Sequence, residues 1–186
     1  MSVARAAALP PPRHPNGTYR ICLVCLGNIC RSPMAEVVLR SELAAAGLDG
    51  AVTVDSAGTG DWHLGQRMEA HACAEVTRRG YDGSAHRARQ IEPSWLDSRD
   101  LILAMDRYNL ADLRRMAASA GVPADRIRLF GEAGGLRPAA MDECLDIPDP
   151  YGKDSADFSA VLDLIETGSR RIAAQLAELL AGRATA

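Results

Sequence analysis

One octapeptide constrains this chain more than any other stretch: Cys25-Leu26-Gly27-Asn28-Ile29-Cys30-Arg31-Ser32. Before it runs the short apolar segment Ile21 to Val24, which reads as a buried strand. After it comes Pro33, and Ser-Pro is a helix start, with Ser32 as N-cap and Pro33 in the first helical position. A loop joining a strand to a helix can turn its backbone N–H groups inward as a nest for an anion. The helix beyond adds unpaired N–H groups and the positive end of its dipole. Gly27 is free to take a backbone conformation closed to other residues.

The rest of the chain repeats the strand-then-helix alternation. Further strands are predicted at Val52 to Val54, Leu101 to Ala104 and Ile127 to Phe130, with helices over 33–46, 69–79 and 108–118. The clearest helix is the last, where Phe158, Val161, Leu162, Ile165, Ile172, Leu176 and Leu179 share one face and Gly182 is a stop. Such alternation implies parallel crossovers. The expected fold is therefore α/β: a single-domain doubly wound, mainly parallel four-stranded sheet with helices on both faces. Residues 1–19, rich in Ala and Pro and without periodicity, read as a disordered arm. The domain is expected over 20–182, with 183–186 as a tail.

In such a sheet, ligands sit at the carboxyl ends of the strands, where the octapeptide lies. The bare Cys-x5-Arg pattern is weak. With five Cys and 20 Arg among 186 residues, about 0.5 copies are expected by chance. A second copy, Cys73 to Arg79, falls inside a predicted helix and carries no glycine. Adding Ser32 lowers the chance expectation to about 0.03, since 11 residues are Ser. Arg31 offers a fork that matches two phosphate oxygens, and the loop's field favours the thiolate of Cys25 as a nucleophile. The competing reading of Cys25 is a small core residue at a strand end. A phosphate ester also needs its leaving oxygen protonated, so a carboxylic acid must face the loop. Asp149, held extended by Pro150, is the candidate, and Asp146 is the local rival.

The run Val24 to Glu36 resembles the phosphate loop of the low-molecular-weight protein tyrosine phosphatases. The likeness continues through Asp55-Ser56-Ala57-Gly58-Thr59, Asp61-Trp62-His63, His86-Arg87-Ala88-Arg89-Gln90, Ala104-Met105-Asp106 and Asp149-Pro150-Tyr151-Gly152, over about residues 20–180. The resemblance implies phosphotyrosine hydrolysis through a phosphocysteine on Cys25. Arg31 would bind the phosphoryl group, and Asp149 would act as general acid and then base. Leu26, Gly27, Asn28, Ile29, Cys30 and Ser32 would cradle the phosphate. Trp62 and Tyr151 would wall the cleft, and Asn28, Ser32, Ser56 and His86 would brace the loop. Implied partners are phosphotyrosine proteins or peptides, with inorganic phosphate as product and no cofactor. Two departures stand out. Tyr151 is followed by Gly152 where many members carry a second aromatic, and Glu69-Ala70-His71 replaces a common Asp-Pro-Arg.

Other chemistries fit less well. The one Lys, in Gly152-Lys153-Asp154, does not make a nucleotide P-loop, and the four His lack metal-ligand spacing. Cys22 and Cys25 resemble a redox pair, but odd spacing on one strand points them to opposite faces. An arsenate reductase wants relay cysteines, absent between 81 and 143. An arginine phosphatase of similar fold has Thr where this loop has Ile29. A phosphate-reading module without activity would normally lack Cys25 or Asp149. A net charge of −3 gives no nucleic-acid footprint. No apolar run reaches membrane length and Ala6 to Leu9 is too short for a signal peptide's core. An odd, modest cysteine count points to a reducing cytoplasm, in keeping with a signalling role. Cys25 and Cys30, at the two ends of the loop, are a candidate redox pair.

Overall fold

The computed structural model describes residues 8–137 and 145–182. The expected tail at 183–186, the start of the expected arm at 1–7 and Cys144 lie outside them. Four strands, β1 (Tyr19–Cys25), β2 (Val52–Gly58), β3 (Leu101–Ala104) and β4 (Ile127–Leu129), form one all-parallel sheet in the order β2-β1-β3-β4. The helices are α1 (Arg31–Ala45), α2 (Ala70–Arg78), α3 (Pro93–Ser98), α4 (Arg107–Ala120), α5 (Phe130–Ala133) and α6 (Ser155–Ala181).

Side-chain alternation along β1 divides the interior in two. Ile21, Leu23 and Cys25 face a core shared with α1, α2, α5 and α6, while Cys22 and Val24 face a smaller core shared with α3 and α4. A strand buried on both faces has no polar side, which is why β1 and β3 read as unbroken apolar runs. Each fully buried Ile or Leu in them contributes about 1.5–3 kcal/mol of transfer free energy. Cys22 and Cys25 thus lie on opposite faces of the sheet, as their odd spacing predicts.

The chain leaves β1 for β2 on one side and returns to β3 on the other, so the topology reverses between β1 and β3 at their carboxyl ends. The octapeptide sits there. Beside it, β2 runs four residues past its predicted end at Val54. These are Asp55, Ser56, Ala57 and Gly58, which lack an apolar pattern but pair in register with Cys22 to Cys25. Gly58 is required by proximity, since a Cβ on it would stand 2.7 Å from the Leu26 carbonyl oxygen.

Residues 8–19 differ from the expected disordered arm. Leu9 is buried, and Tyr19 Oη donates to the Pro10 carbonyl at 2.9 Å. The Arg13 backbone N–H donates to Asp100 at 2.6 Å and its Nε to the Arg99 carbonyl at 2.8 Å. The segment lies across the amino ends of β1 and β3, away from the octapeptide. Its four prolines remove periodicity but also lower the entropy lost on docking, and a few specific tethers then hold it.

Candidate active site

The phosphate loop is built around Asn28. It is the one non-glycine residue with positive φ (54°) among the described residues, a conformation Asn tolerates better than most. Its backbone N–H donates to Cys25 Sγ at 3.3 Å. Its Nδ2 donates to Ser32 Oγ and to Ser56 Oγ, both at 2.9 Å, and its Oδ1 accepts from the Arg89 backbone N–H at 2.9 Å. Its carbonyl takes His86 Nε2 at 2.7 Å, which places the proton of the neutral ring on that nitrogen. Burial pushes His86 below its ordinary pKa, so it stays neutral at pH 7. Ser56 in turn donates to the buried Glu36 carboxylate.

Gly27, expected to take the unusual backbone conformation, does not; Asn28 does. A Cβ on Gly27 would stand 2.9 Å from the His63 ring, which would have to shift to admit it. The expected cap also moves. Helix α1 starts at Arg31 with Cys30 as N-cap, and Ser32 is inside its first turn. The Ser32 hydroxyl lies 3.0 Å from Cys25 Sγ and 3.3 Å from the Ala57 carbonyl. Because it already accepts from Asn28, its single proton is directed to the cysteine sulfur or to that carbonyl. The sulfur outcompetes the carbonyl when it carries charge.

Arg31 projects from the first turn of α1 and is buried, with 3% of its surface exposed. Its Nη1 donates to Asp106 Oδ2 at 2.6 Å and to the Ile147 carbonyl at 3.2 Å, and its Nη2 to Asp149 Oδ2 at 2.8 Å. Burial alone would lower the guanidinium pKa, but Cys25, Asp149 and Asp106 outweigh it, and the group is held charged. Asp149 is nearly half exposed and so can leave this contact. Its loop is laced to the end of β3 by the Ile147 N–H, which donates to the Met105 carbonyl at 2.7 Å. Asp146, the local rival, instead accepts from the backbone and Nε of Arg107, both at 2.9 Å.

Cys25, Leu26, Gly27, Ile29, Cys30, Arg31, Trp62, His63, Asp149 and Tyr151 together line a cleft of about 130 Å3. Trp62 is 68% exposed and its ring covers Gly60, where a Cβ would fall inside it. Gly152, the departure after Tyr151, has φ 76° in a turn closed by the Lys153 N–H on the Pro150 carbonyl. That is the third position of a type II turn, which favours glycine over a second aromatic. Glu69, in the other departure, caps α2 by accepting from the Ala72 N–H at 3.0 Å.

Sequence reasoning left out two residues of this site. His63 lies on the cleft wall, its ring centroid 6.1 Å from that of Tyr151. Asp106 holds Arg31 and also caps α4 through the Asn109 N–H. Both stand in runs that carry the resemblance, Asp61-Trp62-His63 and Ala104-Met105-Asp106, but no role was assigned to either. The second Cys-x5-Arg is structural, as expected: Arg79 ties Glu75 of α2 to Asp163 and Glu166 of α6. No group of three or more His, Cys, Asp or Glu suited to a metal ion occurs among the described residues.

A model of the low molecular weight phosphotyrosine protein phosphatase family matches residues 20–181. The chain is 42% identical over 167 residues to the low molecular weight protein-tyrosine-phosphatase of Streptomyces coelicolor, covering 90% of this chain and 99% of that protein. Its fold is similar to the crystal structure of YfkJ from Bacillus subtilis, with TM-score 0.77 and 34% identity over 88% of this chain and 97% of that one. It is also similar to Vibrio vulnificus Wzb in complex with benzylphosphonate, with TM-score 0.71 and 29% identity over 85% and 99%.

Proposed function

The chain belongs to the low molecular weight phosphotyrosine protein phosphatase family, and on that premise we propose that it hydrolyses phosphotyrosine in proteins through a phosphocysteine on Cys25. The observation that carries this reading is the convergence on one small cleft of a sulfur with two hydrogen-bond partners, a buried charged guanidinium and a half-exposed carboxyl group.

In the proposed reaction the phosphoryl group enters with its oxygens on the loop N–H groups and the Arg31 fork. The Cys25 sulfur forms a bond to phosphorus as the bond to the tyrosine oxygen breaks. Asp149 gives that oxygen its proton and leaves as the carboxylate. Water then attacks the phosphocysteine while Asp149 takes its proton. The P–S bond breaks, the Ser32 hydroxyl stabilises the departing thiolate, and inorganic phosphate is released. Atoms and charge balance with no cofactor. Ser56 and His86 act through Asn28, holding the loop in its anion-binding shape before substrate arrives.

Residues 20–182 form the proposed catalytic unit. No helix among the described residues is long and apolar enough to cross a membrane, and the four described cysteines are free thiols. We place the protein in the cytoplasm, acting in signalling on phosphotyrosine proteins, with neither nucleic acid nor membrane as partner. The test is turnover of a phosphotyrosine peptide, with acid quench and mass spectrometry of the Cys25 peptide. Phosphate on Cys25 in wild type, trapped longer in Asp149→Ala and lost in Cys25→Ser and Arg31→Ala, is expected. Turnover in Cys25→Ser above a tenth of wild type would overturn the mechanism.

A further inference from the structure

A phosphotyrosine in the cleft is part of a polypeptide, and that polypeptide has to cross the rim. On one side the rim is Leu26, Arg31 and Asp149. These residues also line a second, larger cavity of about 400 Å3, so the two cavities adjoin across them. The second cavity is closed in part by Asp106, Tyr108, Asp112 and Asp146.

We propose that this second cavity receives a cationic side chain, Arg or Lys, flanking the phosphotyrosine of the substrate, and that Tyr108 sets the preference. The proposal rests on the phosphotyrosine reading above and names the sequence context that reading leaves open. Tyr108, in the first turn of α4, leaves 75% of its surface exposed. An aromatic ring bare to solvent beside the path of a bound peptide offers its face to a cation. Among the described residues the walls carry four carboxylates, Asp106, Asp112, Asp146 and Asp149, and one guanidinium, that of Arg31. Asp106 and Asp149 are committed to Arg31, and Asp146 to Arg107. Among the described residues Asp112 is paired with Arg115, whose side chain is 78% exposed. An ion pair so open to water is held weakly and exchanges readily for another cation. The cavity therefore joins an exposed ring to an exchangeable carboxylate, beside Arg31 and Asp149 of the cleft.

The experiment measures kcat/KM on phosphotyrosine peptides carrying Arg, Ala or Glu at each of the two positions on either side of the phosphotyrosine. At one position Arg should exceed Ala by about fivefold, the size of an exposed cation–ring contact, with Glu below Ala. That Arg/Ala ratio should fall toward one in Tyr108→Ala and in Asp112→Asn, hold in Tyr108→Phe, and shrink at high salt. Phenyl phosphate, which has no flanking residue, serves as reference. A flat response at every position in an enzyme that turns over phosphotyrosine peptides would overturn the second cavity alone. So would an Arg preference unchanged in both variants. Failure to hydrolyse any phosphotyrosine peptide would instead overturn the reading on which it rests.

Discussion

Asp106 grips the Arg31 guanidinium at 2.6 Å with one carboxylate oxygen, and with the other it accepts the Asn109 N–H that opens α4. One side chain thus fixes the position of the guanidinium proposed to bind phosphate and the start of a helix, and the two tasks can be separated. Asp106→Asn keeps an N-capping oxygen but removes the charge beside a buried cation. It should lower kcat/KM on phenyl phosphate at least tenfold through KM and kcat together, with α4 intact by circular dichroism. Asp106→Ala should add a loss of about 1 kcal/mol in unfolding free energy from the missing cap. Full activity in Asp106→Asn would show that Asp149 and the Ile147 carbonyl hold Arg31 unaided.

The Asp149 contact with Arg31 bears on leaving-group chemistry. Asp149→Ala should slow phenyl phosphate far more than nitrophenyl phosphate, whose phenolate departs without a proton. Steady-state rates on the two esters measure this directly. Equal losses on both would leave Asp149 as a partner of Arg31 and remove it from the acid role.

What was legible in the sequence, and what was not, follows from how far each signal reaches along the chain. β1, β3 and α6 were plain because burial on one or both faces writes a local apolar pattern. The second half of β2 was hidden because Ser56 and Gly58 serve the phosphate loop, not a core. The helices α3 and α5, six and four residues long, are too short for helical periodicity to register. Residues 8–18 were misread because their tethers to Asp100 and Arg99 are more than 80 positions away. Cys25, Arg31 and Asp149 were singled out through motif and resemblance and line one cleft, whereas Asp106 stood in a quoted run without a role and needed the fold to bring it to Arg31.

Cys30 bounds the reaction of the loop with oxidants. Burial, then the neighbouring Cys25 sulfur, pushes its thiol well above the ordinary range, with Glu69 and Asp149 adding to the effect. Cys30 is therefore a thiol at neutral pH and is not the first target of peroxide. We expect peroxide to attack Cys25, and its oxidation to the sulfenic acid releases water. Condensation with the Cys30 thiol then forms a disulfide and a second water. Inactivation by mild peroxide should be reversed by dithiothreitol in wild type and be largely irreversible in Cys30→Ser. The capture step should speed up as pH rises, since only the Cys30 thiolate attacks. Peptide mapping that finds no Cys25–Cys30 link would end this account.

Acid stability should be governed in part by Glu75, which is buried on α2. The hydrogen bonds from Arg78, with help from Ser159 and Arg79, lower its pKa from 4.5 to about 2 against the opposing effect of burial. A carboxyl group with a lowered folded pKa stabilises the fold fully above its unfolded value. That contribution is lost as pH falls from about 4.5 toward 2. The loss should be about 1–2 kcal/mol, because Arg78 is open to water and its share is screened. Urea unfolding at pH 7, 4.5 and 3 should show a shallower acid decline in Glu75→Gln than in wild type. An identical decline in the two would assign acid sensitivity elsewhere.

Selectivity turns on depth and on Ile29. Cys25 is 3% exposed and lines a cleft whose walls include Ile29, Trp62 and Tyr151. A phosphotyrosine carries its phosphate a ring's length further from the backbone than a phosphoserine does, so only the former reaches the sulfur. Ring contact with Trp62 and Tyr151 should add about 0.5–1.5 kcal/mol beyond area burial. Phosphoarginine has comparable reach, but its guanidinium has to shed water against the apolar Ile29 side chain, which is 7% exposed. We expect kcat/KM for phosphotyrosine peptides at least a hundredfold above phosphoserine and clearly above phosphoarginine, with Ile29→Thr narrowing the second gap. The three substrates are assayed side by side on wild type and Ile29→Thr. Wild-type turnover of phosphoarginine equal to that of phosphotyrosine would move the specificity to phosphoarginine and leave the phosphocysteine chemistry standing.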